Sequence, residues 1–237
     1  MRTRMLALSV VSGAALLAAA ALPAAAFTTP ADGADSGSGK DPVSAAGLLA
    51  RVKSCTRISD GKYRTDQGGP AKVPVCGTKG AVFWEADMDI DCDGRITKAC
   101  SSRTDPSFLP ETAFQTSAGR PLDSARLPYV VVPGSGPLWN HTESGIRGGT
   151  VAAVVYRDQV QYAVVGDTGP TGIIGEASYA TAEALGIDPD PKSGGTASGV
   201  TYILFKNSEV SPIESRKAAV TAGEALARKF VDDGSTG

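Results

Sequence analysis

Two carboxylates with the right surroundings for chemistry stand close together in the chain. Asp167 ends the apolar run Val164-Val165-Gly166, and Glu176 follows after a connection that includes Thr168-Gly169-Pro170 and closes on Gly175. Carboxyl groups on either side of a turn can face one another across a groove. Acid-assisted glycoside cleavage needs that arrangement: a protonated carboxyl donates to the leaving oxygen, and an ionised one activates water or attacks. The apolar Val164-Val165 setting would hold a proton on Asp167, which makes it the general acid and leaves Glu176, toward the solvent end of a helix, as the base. Plainer roles exist for both. Asp167 also suits a turn whose side chain bonds the following backbone, and Glu176 suits the first turn of a helix, where the dipole favours a negative charge.

A second acidic stretch lies upstream, Asp87-Met88-Asp89-Ile90-Asp91-Cys92-Asp93-Gly94. Asp89-x-Asp91-x-Asp93-Gly94 matches the opening of an EF-hand calcium loop, with Ile96 at its apolar position. The twelfth position falls on Cys100, so the bidentate Glu is missing, and the expectation is a protein without a cofactor. The run also suits a turn tightened by Asp side chains, or subsites for a cationic substrate in which Asp87, Asp89, Asp91 and Asp93 pair with ammonium groups. Trp84 is a candidate for stacking on a sugar face, as are Trp139 and Tyr129, although aromatics beside strands are more often core. Thr168, next to Asp167, joins the candidate substrate contacts. His141 is the only histidine and has no Ser or Cys partner motif, which argues against a catalytic triad.

The elements that must position these groups are mostly strands. Ala81–Trp84, Tyr129–Val132, Val151–Tyr156, Gln161–Val165 and Val200–Phe205 are short β-branched or aromatic runs punctuated by Gly, Pro, Asn or Asp. Arg157-Asp158-Gln159 suits a hairpin turn. Asp41-Pro42 reads as a helix start over Leu48, Leu49 and Val52, and Ala177–Leu185 as a helix ended by Gly186. Ser211-Pro212-Ile213-Glu214 reads as a capping box opening a closing helix with Ala218, Ala219, Ala222, Leu226 and Phe230 on one face. The fold class is mainly β with a few helices, a small closed β-barrel with the helices packed outside it.

The ends carry other signals. Arg2, Arg4, the uncharged apolar run Leu6–Leu22 and Ala24-Ala25-Ala26 make residues 1–26 a secretory signal peptide. Residues 27–41 read as a disordered linker, 42–231 as a single catalytic domain and 232–237 as a flexible tail. Losing residues 1–26 removes two arginines and no acid, so the formal charge moves from −2 to −4. A mildly acidic chain argues against nucleic acid as the main partner and suits a cationic substrate. The expected protein is an extracellular monomer, free of the membrane once cleaved. Four cysteines, Cys55, Cys76, Cys92 and Cys100, fit an oxidising compartment. Three pairings are open, the simplest joining Cys55 to Cys76 and Cys92 to Cys100.

The acidic run 87–94, taken with Val165-Gly166-Asp167-Thr168 and Gly175-Glu176-Ala177, resembles the chitosanases of glycoside hydrolase family 75, over roughly Ala45 to Phe205. The resemblance implies an endo-acting, inverting hydrolase of β-1,4 bonds between glucosamine units of chitosan. It places the family's essential Asp and Glu on Asp167 and Glu176. The stretch from Gly166-Asp167-Thr168-Gly169-Pro170 through Ala177-Ser178-Tyr179-Ala180 to Ile187 is similar to the strand-turn-helix of double-psi β-barrels, which implies six strands and puts Asp167 at a groove rim. Two rival functions share that barrel: a peptidoglycan lytic transglycosylase, which uses one acid and no water, and an expansin-like wall-binding protein without turnover.

Overall fold

The computed structural model describes residues 42–234, so the signal peptide, the linker and residues 235–237 of the tail lie outside the described residues. The elements in chain order are α1 (Ala45–Arg51), β1 (Thr56–Arg57), β2 (Cys76–Thr78), β3 (Ala81–Asp91), β4 (Tyr129–Pro133), β5 (Val151–Tyr156), β6 (Gln159–Gly169), β7 (Glu176–Ser178), α2 (Tyr179–Ala184), β8 (Thr196–Phe205) and α3 (Arg216–Asp232). Strands β3, β7, β4, β6, β5 and β8 are neighbours in that order, and β8 pairs back onto β3, closing a six-stranded barrel. β1 and β2 extend from β3 outside the ring. Pairing is mixed: β3–β7 and β4–β6 are parallel, and the other ring pairs are antiparallel.

Closure explains why the strands read as continuous apolar runs. Val82, Trp84, Ala86, Val130, Val132, Val154, Val165 and Tyr202 fill one cluster, the barrel interior. Alternate residues Phe83, Tyr129, Val131, Val155, Val164 and Ile203 fill a second cluster together with α1 and α3. A strand covered on both faces gains from apolar side chains at every position. On α3, Ala219, Gly223, Ala227 and Phe230 are buried at helical spacing, and the Phe230 ring meets Phe205 edge-on at 5.8 Å. No helix among the described residues is long and apolar enough to cross a membrane.

The helix boundaries differ from the sequence reading, each time because another residue caps better. α1 starts at Ala45, where Ser44 Oγ accepts the Gly47 N–H at 3.1 Å, rather than at Asp41-Pro42. α3 starts at Arg216 on a Ser215 cap, because the Glu214 carboxylate is taken by the backbone N–H and hydroxyl of Ser117 and does not reach back to Ser211. α3 also runs to Asp232, the first residue of the expected tail. Glu176, Ala177 and Ser178 are strand, not helix. Ser178 Oγ accepts from Thr181 N and so starts α2 at Tyr179, two residues after the expected Ala177. α2 does stop ahead of Gly186, which follows the Leu185 cap with φ +68°; Gly186 N bonds Glu183 O and Ile187 N bonds Ala182 O, a Schellman closure.

Candidate active site

The groove lies where β3, β7, β4 and β6 run side by side. Asp167 sits on β6 and Glu176 on β7, with β4 between them. In the β4–β6 ladder Val130 pairs with Val165 but Val131 pairs with Asp167, so Gly166 is an extra, bulged residue. Regular alternation would send Asp167 into the barrel interior, the side to which Val165 points. The bulge instead puts it on the outer face with Val131. Only Gly fits there: a Cβ on residue 166 would lie 2.6 Å from Tyr129 Cβ and ring carbon. A strand-to-strand step is about 4.8 Å, so the two strands bearing the carboxyls lie about 10 Å apart.

Both side chains line a cavity of about 610 Å³, with Val131, Thr168, Gly169, Asp89, Asp91 and Asp93 around them. Asp105, Ser107 and Leu109 from one loop and Asp190, Pro191, Lys192 and Gly194 from another complete the lining, with Lys192 the one cation among the lining residues. Asp91, Asp93 and Asp167 each bring a carboxylate oxygen within 4.8 Å of the others. Asp93 Oδ1 accepts the Leu109 N–H at 2.6 Å, and Asp91 Oδ1 accepts the Asp93 N–H at 2.6 Å.

The environments of the two candidate catalytic groups differ. Asp167 is buried, yet its Oδ1 accepts two backbone N–H groups, from Ala113 at 2.8 Å and Thr168 at 2.7 Å. Burial raises its pKa, and these two bonds offset only part of that rise. Glu176 has no hydrogen bond to its carboxylate among the described residues, and it faces Asp89, Asp93 and Asp167. Burial first, then those like charges, push it up to about 7. Asp91 is raised well above the ordinary carboxylate value by burial and by Asp167, and Asp93 is raised to about 6, mainly by burial. Gly169 makes room for the Glu176 head group, since a Cβ there would lie 2.7 Å from Glu176 Oε2.

Other candidates fall elsewhere. Trp84 is 1% exposed inside the barrel, stacked on Tyr202 at 5.3 Å, and cannot reach a sugar; Trp139 and Tyr129 are likewise buried. Asp87 is 5% exposed and does not line the groove. The aromatic residues are core, as aromatics beside strands more often are, whereas the burial of Asp87 had no sign in its residue type. The Asp89–Asp93 run is divided as well. β3 stays extended through Asp91, so Asp89 joins Asp66 and Asp87 while Asp91 and Asp93 join Asp167, and the three do not curl about one point as an EF-hand loop does. Asp66, Asp105 and Asp190 went unnoticed in the sequence because no motif surrounds them; they arrive from loops distant in the chain. The cysteines pair as Cys55–Cys76 and Cys92–Cys100, the second closing the loop that follows β3, with Cys92 among the groove's lining residues.

Comparison with known proteins bears on this arrangement. A family profile described as fungal chitosanase of glycosyl hydrolase group 75 matches residues 88–232. An endo-chitosanase of Aspergillus oryzae (strain ATCC 42149 / RIB 40) is 34% identical over 141 residues, covering 55% of this chain and 58% of that protein. An endo-chitosanase of Aspergillus fumigatus is 30% identical over 173 residues, covering 67% of this chain and 73% of that protein. The chain thus spans well under two thirds of the first relative's length and more of the second's. The profile takes in more than half of the chain, including the end of β3 from Met88, the Gly166 bulge and both groove carboxyls, and the chain therefore belongs to the group 75 glycosyl hydrolases.

Proposed function

We propose that this protein is a secreted endo-chitosanase that hydrolyses β-1,4 bonds between glucosamine units with inversion, working as a monomer and using two carboxyl groups with no cofactor in the chemistry. The observation that carries the reading is the contrast between Glu176 and Asp167 in one acidic groove. Glu176, without a donor to its carboxylate and with its pKa near 7, is the group that keeps a proton to give to the leaving oxygen. Asp167, held by two backbone N–H groups, is the one that stays ionised to activate water. This reverses the roles expected from Val164 and Val165. Those side chains lie on the barrel's two faces, while the N–H groups of Ala113 and Thr168 act on the carboxylate directly. Inverting enzymes keep their carboxyls about 6.5–9.5 Å apart to admit a water, and one intervening strand suits that gap.

The surplus of acid along the groove supports a polycationic substrate. Asp89, Asp91, Asp93 and Thr168 line it and would contact successive sugar units, the carboxylates pairing with ammonium groups. Two disulfides among the described residues support export to an oxidising compartment. A lytic transglycosylase needs one acid and no water, so the second carboxyl in the groove speaks against it. The test is reducing-end release from highly deacetylated chitosan, with chitin and cellulose as controls, and the anomer of the first product followed by NMR. Release of α-anomers from chitosan supports the reading. Equal rates on cellulose, or a β-anomer, would remove respectively the amine recognition or the inverting mechanism.

A further inference from the structure

Asp89 also belongs to a carboxylate group outside the groove wall. One carboxylate oxygen each from Asp66, Asp87 and Asp89 lies within 4.8 Å of the other two. Asp87 is 95% buried, and its Oδ1 is closed to solvent with no hydrogen-bond partner among the described residues. The Asp66 carboxylate is oriented by the buried Thr65, whose hydroxyl donates to Oδ2 at 2.9 Å. No ion pair reaches any of the three among the described residues; Lys72 is the cation that acts on Asp87, and Asp66 and Asp89 act against it. A buried, unpaired carboxylate beside two others is costly unless a cation or proton offsets it.

We propose that Asp66, Asp87 and Asp89 form a calcium site. Calcium takes six to eight oxygens at about 2.3–2.6 Å in a flexible shell, whereas magnesium demands a near-ideal octahedron and gives up its waters reluctantly. Three carboxylate oxygens this close together can share one calcium ion, with waters completing the shell around exposed Asp66 and Asp89. The site has a structural task. Asp66 lies in a loop held to the rest of the molecule at Arg64, through Arg64 N to Gly172 O and Ile174 N to Arg64 O, each 3.0 Å. Asp87 and Asp89 belong to β3, and Asp89 is in register with Glu176. An ion here ties the loop to the strand beside the proposed proton donor and makes the stability of the barrel depend on calcium.

Thermal unfolding of the full chain, freed of metal with EDTA and then titrated with calcium chloride, tests the proposal without reference to turnover. The melting temperature should rise saturably, by about 5–10 °C when calcium reaches 100-fold over its Kd, and magnesium should do much less. Asp66→Asn and Asp87→Asn should each abolish the rise. Asp87→Asn in EDTA should melt no lower than the wild type in EDTA, since it removes a buried unpaired charge. Glu111→Gln, at an exposed acid outside the group, should respond like the wild type. Titration calorimetry with calcium, showing one site in the wild type and none in Asp66→Asn, covers the case of a poorly folding variant. A wild type that melts alike in EDTA and calcium, or an Asp66→Asn variant that keeps the full response, overturns the site.

Discussion

Glu176→Gln should stabilise the protein and abolish its activity, and the gain should depend on pH. In the folded chain the Glu176 pKa is raised from 4.5 to about 7, so ionising it costs more there than in the unfolded chain. At about 1.4 kcal/mol per pH unit, that rise corresponds to about 3 kcal/mol as an upper bound. The sign follows from proton counts. Below about pH 4.5 both states hold the proton and Glu176 contributes no difference. Between about 4.5 and 7 the folded state holds it more tightly, so stability falls as pH rises, and above about 7 the full cost is present. Glutamine has no charge to desolvate. The variant should match the wild type at pH 4.5 and exceed it by up to about 3 kcal/mol at pH 8, which is up to about 6–12 °C in melting temperature for a domain of this size. Calorimetry across that pH range, with reducing-sugar release measured in parallel, gives both readouts; turnover should fall about 10²–10⁴-fold. A variant less stable than the wild type at pH 8, or a gain that does not change with pH, would refute the account of Glu176 as a strained acid.

The pH profile of kcat/KM should be a bell whose alkaline limb falls through about 7 as Glu176 loses its proton and whose acid limb lies above 3.8, because burial raises Asp167; an alkaline limb near 4.5 would rule out Glu176 as the donor. Asp167→Asn keeps an acceptor for Ala113 and Thr168, so its melting temperature should hold while turnover is lost, and azide should restore turnover with formation of an α-glycosyl azide; rescue of Glu176→Gln instead would exchange the roles. Gly169→Ala should displace the Glu176 head group and lower kcat about 100-fold with little loss of stability, as measured by steady-state kinetics and melting. Replacing Cys55 and Cys76 by Ser opens a loop with sequence separation 21 and should cost about 3 kcal/mol in denaturant unfolding.

Much of the barrel was legible in the sequence because its strands are covered on both faces. Val151–Tyr156 and Tyr129–Val132 are buried at nearly every position, and continuous apolar runs between Gly, Pro and Asp breaks announce that locally. The Arg157-Asp158 turn was legible too, since the hairpin it closes is a contact between neighbours in the chain. β7 was not. Glu176-Ala177-Ser178 has the composition of a helix start, and only its pairing with β3 and β4, strands far away in sequence, makes it extended. Asp167 and Glu176 were legible as candidates from their residue types and surroundings, whereas the environment of each was decided by the fold: backbone N–H groups from residues 113 and 168 reach one carboxylate and none reaches the other. The face Asp167 occupies depends on a one-residue bulge at Gly166, which flips every following side chain and is set by register with β4. The fate of the acidic run was likewise tertiary. An extended strand spreads Asp87, Asp89 and Asp91 along one face, and partners brought from residues 66 and 167 then decide which of them share a site. Local sequence carries periodicity and turn chemistry; burial, charge proximity and register arise from contacts between distant segments, and those set what the carboxyl groups do.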